Sequence, residues 1–191
     1  MKFTAIATLV AAVAAIPYSP PADQPDGVYS VNFDEAGQPL VQRLADPNYA
    51  PAAESQVGEA QAVEAEATPQ LLKRAREPYC SGLYIPQDGS YKRVQDCLGN
   101  WLDANSGNVK RDGGAVIYCR SGDTFLALCS YPETIYGSSK EITNFNANMD
   151  VTCGAWKSGY VFYDEWNKSY YRTMAAEPIC TNIDAHVQLP S

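Results

Sequence analysis

Six cysteines carry the plainest chemistry in this chain. Cys80, Cys97, Cys119, Cys129, Cys153 and Cys180 all lie beyond position 79. An even number with no C-x-x-C pair is the pattern of three disulfides rather than of a thiolate metal site. Structural zinc needs closely spaced ligand pairs, usually with histidines, and His186 is the single histidine. No metal and no cofactor is expected. Spacing leaves the connectivity open; a Cys80–Cys180 bond tying the two ends is the pairing we nominate.

The next informative group is Leu71-Leu72-Lys73-Arg74. A dibasic pair six residues before the first cysteine suits a kexin-type protease, whose acidic subsites bind both cations. Leu71, Lys73 and Arg74 are therefore the expected processing residues. Lys92-Arg93 and Lys110-Arg111 are also dibasic, but each lies between cysteines. A helix around Lys92-Arg93 would shield it; Lys110-Arg111 sits in an Asn/Gly-rich stretch and is more open to attack.

Candidates for catalysis are thin. A Ser-His-Asp or Cys-His site would have to use His186. Asp164-Glu165 are adjacent, and neighbours on a strand point to opposite faces, which does not suit a glycosidase pair flanking one bond. Glu165, Arg172 and His186 could imitate the Glu, Arg and His of small fungal guanyl-specific ribonucleases, but the residues around them do not reproduce that motif. No catalytic residue is assigned. Asn167-Lys168-Ser169 is an N-glycosylation sequon. Trp156, Tyr160, Tyr163, Trp166, Tyr170 and Tyr171 form the densest aromatic run, and are the candidate binding surface.

These groups need elements to hold them. Residues 90–103 place Tyr91, Val94, Cys97, Leu98, Trp101 and Leu102 on one helical face, opposed by Lys92, Arg93, Gln95 and Asp96. Gly99 weakens that helix. Residues 138–153 form a second, with Ser138-x-x-Glu141 as a capping box and Gly154 at its end. Between them, residues 115–119 and 124–129 flank a turn at 120–123. A hairpin closed on those four residues sets Cys119 opposite Thr124 and Ile117 opposite Leu126. Alternation then puts Cys129 on the other face from Cys119, so the two should not bond. Both faces are apolar, which predicts a central hairpin covered on both sides. Residues 159–163 and 168–173 are further strands. The expected fold is α+β, a small disulfide-stapled domain with a central antiparallel β-sheet and two helices.

Three segments are expected. Residues 1–15 are a signal peptide, with Lys2, an uncharged apolar stretch from 3 to 15 and small residues at 13–15. That stretch is too short for a bilayer, which needs about 20 apolar residues, so no membrane anchor is expected. Residues 16–74 are an acidic pro-segment, largely disordered by composition, with a hairpin at 27–44 that docks during folding. There Val28, Ser30 and Phe33 precede a turn at 34–37, and Leu40, Val41 and Leu44 follow. Residues 75–191 are the mature six-cysteine domain. It carries thirteen acids against ten basic residues, with no basic stripe for nucleic acid.

In its architecture the chain resembles small secreted cysteine-rich effectors of filamentous fungi. These include the pro-domain-bearing necrotrophic toxins and virulence effectors. Val116-Ile117-Tyr118-Cys119, Cys153-Gly154 and Trp166-x-x-Ser169-Tyr170-x-Arg172 look like a pattern of such proteins, with Tyr171 standing where their glycine is expected. The resemblance implies secretion by a plant-associated fungus and action in the apoplast or inside host cells. It also implies no enzymatic activity. The expected molecule is a monomer that binds a host or competitor protein, or a carbohydrate. An antimicrobial or killer-type toxin and a small ribonuclease-like hydrolase are the alternatives.

Overall fold

The computed structural model describes residues 18–34, 36, 38–49, 75–105, 115–130, 136–175 and 177–180. Residues 1–15, expected as a signal peptide, and Lys73-Arg74, Lys110-Arg111 and His186 lie outside them. Seven strands form one antiparallel sheet in the order β2-β1-β4-β5-β7-β6-β3. They are β1 (Gly27–Phe33), β2 (Pro39–Ala45), β3 (Tyr79–Tyr84), β4 (Ala115–Ser121), β5 (Thr124–Ser130), β6 (Lys157–Tyr163) and β7 (Lys168–Met174). Helices α1 (Ser90–Asn105) and α2 (Ser139–Cys153) pack on one face. The expected α+β disulfide-stapled architecture is the one observed.

The helix periodicity is realised. Tyr91, Val94, Cys97, Leu98, Trp101 and Leu102 are all buried. Gly99 has a packing reason: a Cβ there would lie 3.0 Å from the Ser139 Cβ, so α2 can begin against α1. Ser138 caps α2 by accepting the Glu141 N–H at 3.2 Å. The reciprocal half of the capping box is not used, because the Glu141 carboxylate accepts from Lys168 Nζ (2.6 Å) and Tyr170 OH (2.7 Å).

The β4–β5 hairpin is central and covered on both faces. Its register differs from expectation by two residues: Cys119 faces Leu126 and Ile117 faces Leu128, and the pairing runs on to Ser121–Thr124. Gly122 at φ 58° allows a two-residue turn in place of four. A slip of two keeps every side chain on its face. Ile117, Cys119, Leu126 and Leu128 accordingly meet the helices. Val116, Tyr118, Phe125 and Cys129 meet the second core with Tyr29, Val31, Tyr171, Ile179 and Tyr18.

The disulfides are Cys80–Cys153, Cys97–Cys119 and Cys129–Cys180. Cys119 and Cys129 do not bond, as alternation requires. The nominated Cys80–Cys180 bond is not formed. Cys80, on edge strand β3, meets the end of α2, whereas Cys180 lies in the second core against β5. Each bridge joins separate elements, at about 2–4 kcal/mol apiece. Three disulfides suit an oxidising, extracellular-type compartment.

The largest departure concerns residues 18–49, read from composition as part of a largely disordered segment. They are built into the fold. β1 lies between β2 and β4, with Val28, Tyr29, Ser30 and Val31 buried. Tyr18 bridges to Ile179, accepting its N–H at 2.8 Å. The hairpin foreseen at 27–44 exists, but as sheet strands rather than as a docked accessory.

Candidate functional site

The six aromatics expected to form one surface do not. β7 alternates, so Tyr170 enters the helix-side core and Tyr171 the opposite one, and both are buried. Tyr163 is buried too, stacked on Trp166 at 5.6 Å and edge-on to Tyr170. Trp156, at φ 62° before β6, turns edge-on to Tyr91 and keeps 38 % exposure. Of the six, Tyr160 joins a different surface.

That surface starts on β3, which sequence periodicity missed. Tyr79 (55 % exposed) stacks on Tyr160 at 5.1 Å, and Tyr160 stacks on Tyr171 at 4.7 Å. The three rings line a cleft of about 210 Å³ with Ser81, Gly159, Thr173, Glu177 and Pro178. Glu177 accepts the Thr173 hydroxyl, which fixes its carboxylate on the wall. Burial, then the neighbouring Tyr79, pushes the Tyr160 phenol above its usual range, so it stays neutral. The volume is below the roughly 300–1,000 Å³ typical of small-molecule pockets. It suits one protruding side chain.

Gly159 is what lets the stack form. It pairs with Cys80 across the β3–β6 ladder, and a Cβ there would come within 2.0 Å of the Tyr79 carbonyl oxygen. Gly159→Ala should therefore push β3 off β6, costing about 3 kcal/mol or more. We expect a fall in melting temperature of roughly 10 °C, with loss of the near-UV signal of the Tyr79–Tyr160–Tyr171 stack. An unchanged melt would contradict this packing.

Beyond the stack, β3 bulges between Cys80 and Tyr84. Gly82 at φ 86° makes the bend, and Lys157 Nζ ties it by donating to the Gly82 carbonyl at 3.1 Å. The bend presents Leu83 (46 %) and Tyr84 (64 %) to solvent, with the same ammonium 3.4 Å from the centre of the Tyr84 ring. A bulged edge resists pairing with a foreign strand, so this border offers side chains rather than backbone.

The residues considered for catalysis are placed apart. Arg172 is 1 % exposed and its guanidinium is committed: Nε to the Lys157 carbonyl (2.6 Å), Nη1 to Asp150 (2.6 Å) and Nη2 to the Gly154 carbonyl (3.2 Å). It closes the end of α2 onto the sheet and has no arm for a phosphate. Glu165 sits in the 3₁₀ turn Asp164–Trp166. That turn is at least four strand residues from Arg172, roughly 13 Å along β7. Asp164 is bound by Arg76, whose Nε lies 2.8 Å from both carboxylate oxygens. Among the described residues no cluster of His, Cys, Asp and Glu could hold a metal ion. Nor is any described helix long and apolar enough to cross a membrane. No protein family matches the chain, and no curated protein or solved structure matches it.

Asn167, the sequon asparagine, is exposed in left-handed backbone at φ 46°, ψ 50° on the β6–β7 turn. It lies at the opposite end of that hairpin from Gly159 and Thr173, so a glycan there would leave the cleft open.

Proposed function

We propose that this protein is a secreted fungal effector, a virulence factor whose disulfide-stapled domain binds a host protein without catalysis. The cleft of Tyr79, Tyr160 and Tyr171 holds one basic side chain of that protein. One observation carries the reading: three stacked tyrosines with a fixed carboxylate at their side, partly open to solvent. The Tyr79 ring, at the open end of the stack and 55 % exposed, attracts a cation, most often arginine, and Glu177 supplies the opposite charge. The surrounding domain is net acidic, which favours a basic partner over nucleic acid. Leu83 and Tyr84, exposed farther along β3, add side-chain contact area on the same strand as Tyr79, and aromatic area of this kind dominates recognition energies. The three disulfides suit the protease-rich space outside a cell.

The test uses Tyr79→Ser, at a ring 55 % exposed, and Glu177→Gln, which keeps an acceptor oxygen for the Thr173 hydroxyl while removing the charge. Infiltrated into leaves of responsive and non-responsive genotypes, each variant should need at least ten-fold more protein than wild type to elicit a response, with the same melting temperature. NMR should show the Tyr79 and Tyr160 ring resonances moving when a short arginine peptide is added, and not with its glutamate counterpart. Equal potency of wild type and both variants would remove the cleft from the function. Killing of yeast or bacteria without any genotype-dependent leaf response would replace the effector reading with that of a toxin.

A further inference from the structure

The chain contains a non-covalent joint that its own maturation would expose. All six cysteines lie on the C-terminal side of Lys73-Arg74, and all three disulfides close within residues 80–180. The other two dibasic pairs, at 92–93 and 110–111, fall inside the Cys80–Cys153 loop. A cut at either leaves the pieces bridged. Lys73-Arg74 is the one dibasic pair at which a cut divides the protein into two chains that no covalent bond joins.

The amino-terminal piece nonetheless grips the rest from three directions. Along the edge, β1 pairs with β4 from Gly27–Arg120 to Val31–Val116. On the second face, Tyr18 exchanges backbone hydrogen bonds with Ile179, and its ring lies 6.0 Å from that of Tyr118. The Tyr118 hydroxyl donates to Gln24. Arg120, buried, gives Nη1 to the Pro21 carbonyl (2.7 Å) and Nη2 to the Ala22 carbonyl (2.6 Å). Gly122 N–H donates to Asp26 at 2.8 Å. On the helix face, Leu44 and Tyr49 pack against the core, and the Asn100 amide donates to the Tyr49 carbonyl at 3.3 Å. Departure would uncover β4 as a sheet edge, open the second core and strip Arg120 of two of its acceptors.

We propose that cleavage after Arg74 does not release residues 16–74, and that the processed protein is a two-chain assembly in which the leader piece stays as a strand-donating subunit. Its partner is thus a segment of this same chain, held by antiparallel pairing and by the Tyr18, Val28, Tyr29 and Val31 side chains. The arrangement also supports the tyrosine cleft. Ile179, which pairs with Tyr18, directly follows Glu177 and Pro178 of the cleft wall.

The experiment starts from the folded, oxidised chain lacking the signal stretch, cut with a kexin-type protease. Gel filtration at nanomolar concentration and native mass spectrometry should give one species with the summed mass of 16–74 and 75–191. A denaturing gel without reductant should separate the two, which cuts at 92–93 or 110–111 could not produce. In a Val31→Asp chain cut in the same way, the small fragment should leave at least ten-fold faster on dilution. If that chain does not fold, Tyr18→Ser serves in its place, since it spares the β1–β4 ladder. Recovery of 16–74 alone, with a folded 75–191 in another fraction, overturns the proposal. So does a cut variant that holds its fragment as long as wild type. Either outcome is distinguishable from failure of the cleft reading, which is tested separately by Tyr79→Ser and Glu177→Gln in the full, uncut chain.

Discussion

Produced without residues 16–74, the chain from Ala75 onward will fail to reach its native disulfides in the yield of the longer protein. The expectation follows from what β1 contributes before any bond closes. Tyr18, Val28, Tyr29 and Val31 are essentially buried. At about 1.5–3 kcal/mol each they supply roughly 6–12 kcal/mol of gross apolar burial, an upper estimate because denatured chains are partly collapsed. Whole domains are stable by only about 5–15 kcal/mol. Loss of that burial consumes most of any such margin. It also leaves β4, with Val116, Ile117 and Tyr118 in a row, as an open edge suited to aggregation. Refolding both chains from the reduced state and mapping their bridges would check this. Equal yields of Cys80–Cys153, Cys97–Cys119 and Cys129–Cys180 from residues 75–191 alone would show that the leader is dispensable for folding.

The same amino-terminal segment marks where the sequence stops being legible. The helices can be read because an apolar repeat of about 3.6 residues, sustained over several turns, fits a helix and does not fit a strand. The central hairpin can be read by face though not by register, since a two-residue slip leaves the alternation intact. Residues 18–49 mislead because mean composition points to disorder. Burial there is concentrated in Tyr18, Val28, Tyr29 and Val31, and diluted by prolines and acids nearby. β3 escapes for a related reason: Tyr79–Tyr84 is short, holds Gly82 and bulges, so no period of two survives across it. Its partners lie some 75 residues away on β6, beyond any local pattern. The candidate surface fails on alternation itself. Consecutive Tyr170 and Tyr171 must enter opposite cores, and only the strand neighbours, invisible without the sheet order, show that both faces are covered.

Alkali should unfold this protein cooperatively within about two pH units above pH 10, earlier than its disulfides would suggest. Burial, as the first cause in every case, raises the phenol pKa of Tyr91, Tyr118, Tyr163 and Tyr170. In the unfolded chain these groups lose their protons near pH 10, while in the native state they keep them. The folded form then holds more protons, and stability present below pH 10 is lost as pH rises through the folded values. Each such group contributes a slope of about 1.4 kcal/mol per pH unit, so the four together give roughly 5 kcal/mol per unit.

Lys168 acts with the opposite sign. Burial lowers its pKa against the raising influence of Glu141. In the window between its folded value and 10.5 its deprotonation favours the native state. One lysine against four tyrosines decides the direction, and above 10.5 its opposition ends. The two effects also meet in space. Glu141 accepts from both Lys168 Nζ and Tyr170 OH, so losing the ammonium proton leaves the carboxylate facing a phenol that cannot ionise without placing two negative charges together. The tyrosinate absorbance of these four buried phenols should therefore appear in the same step in which far-UV circular dichroism is lost. Complete ionisation of all the tyrosines with the dichroism still intact would mean that these four phenols reach water in the folded protein, and that the two cores are not closed.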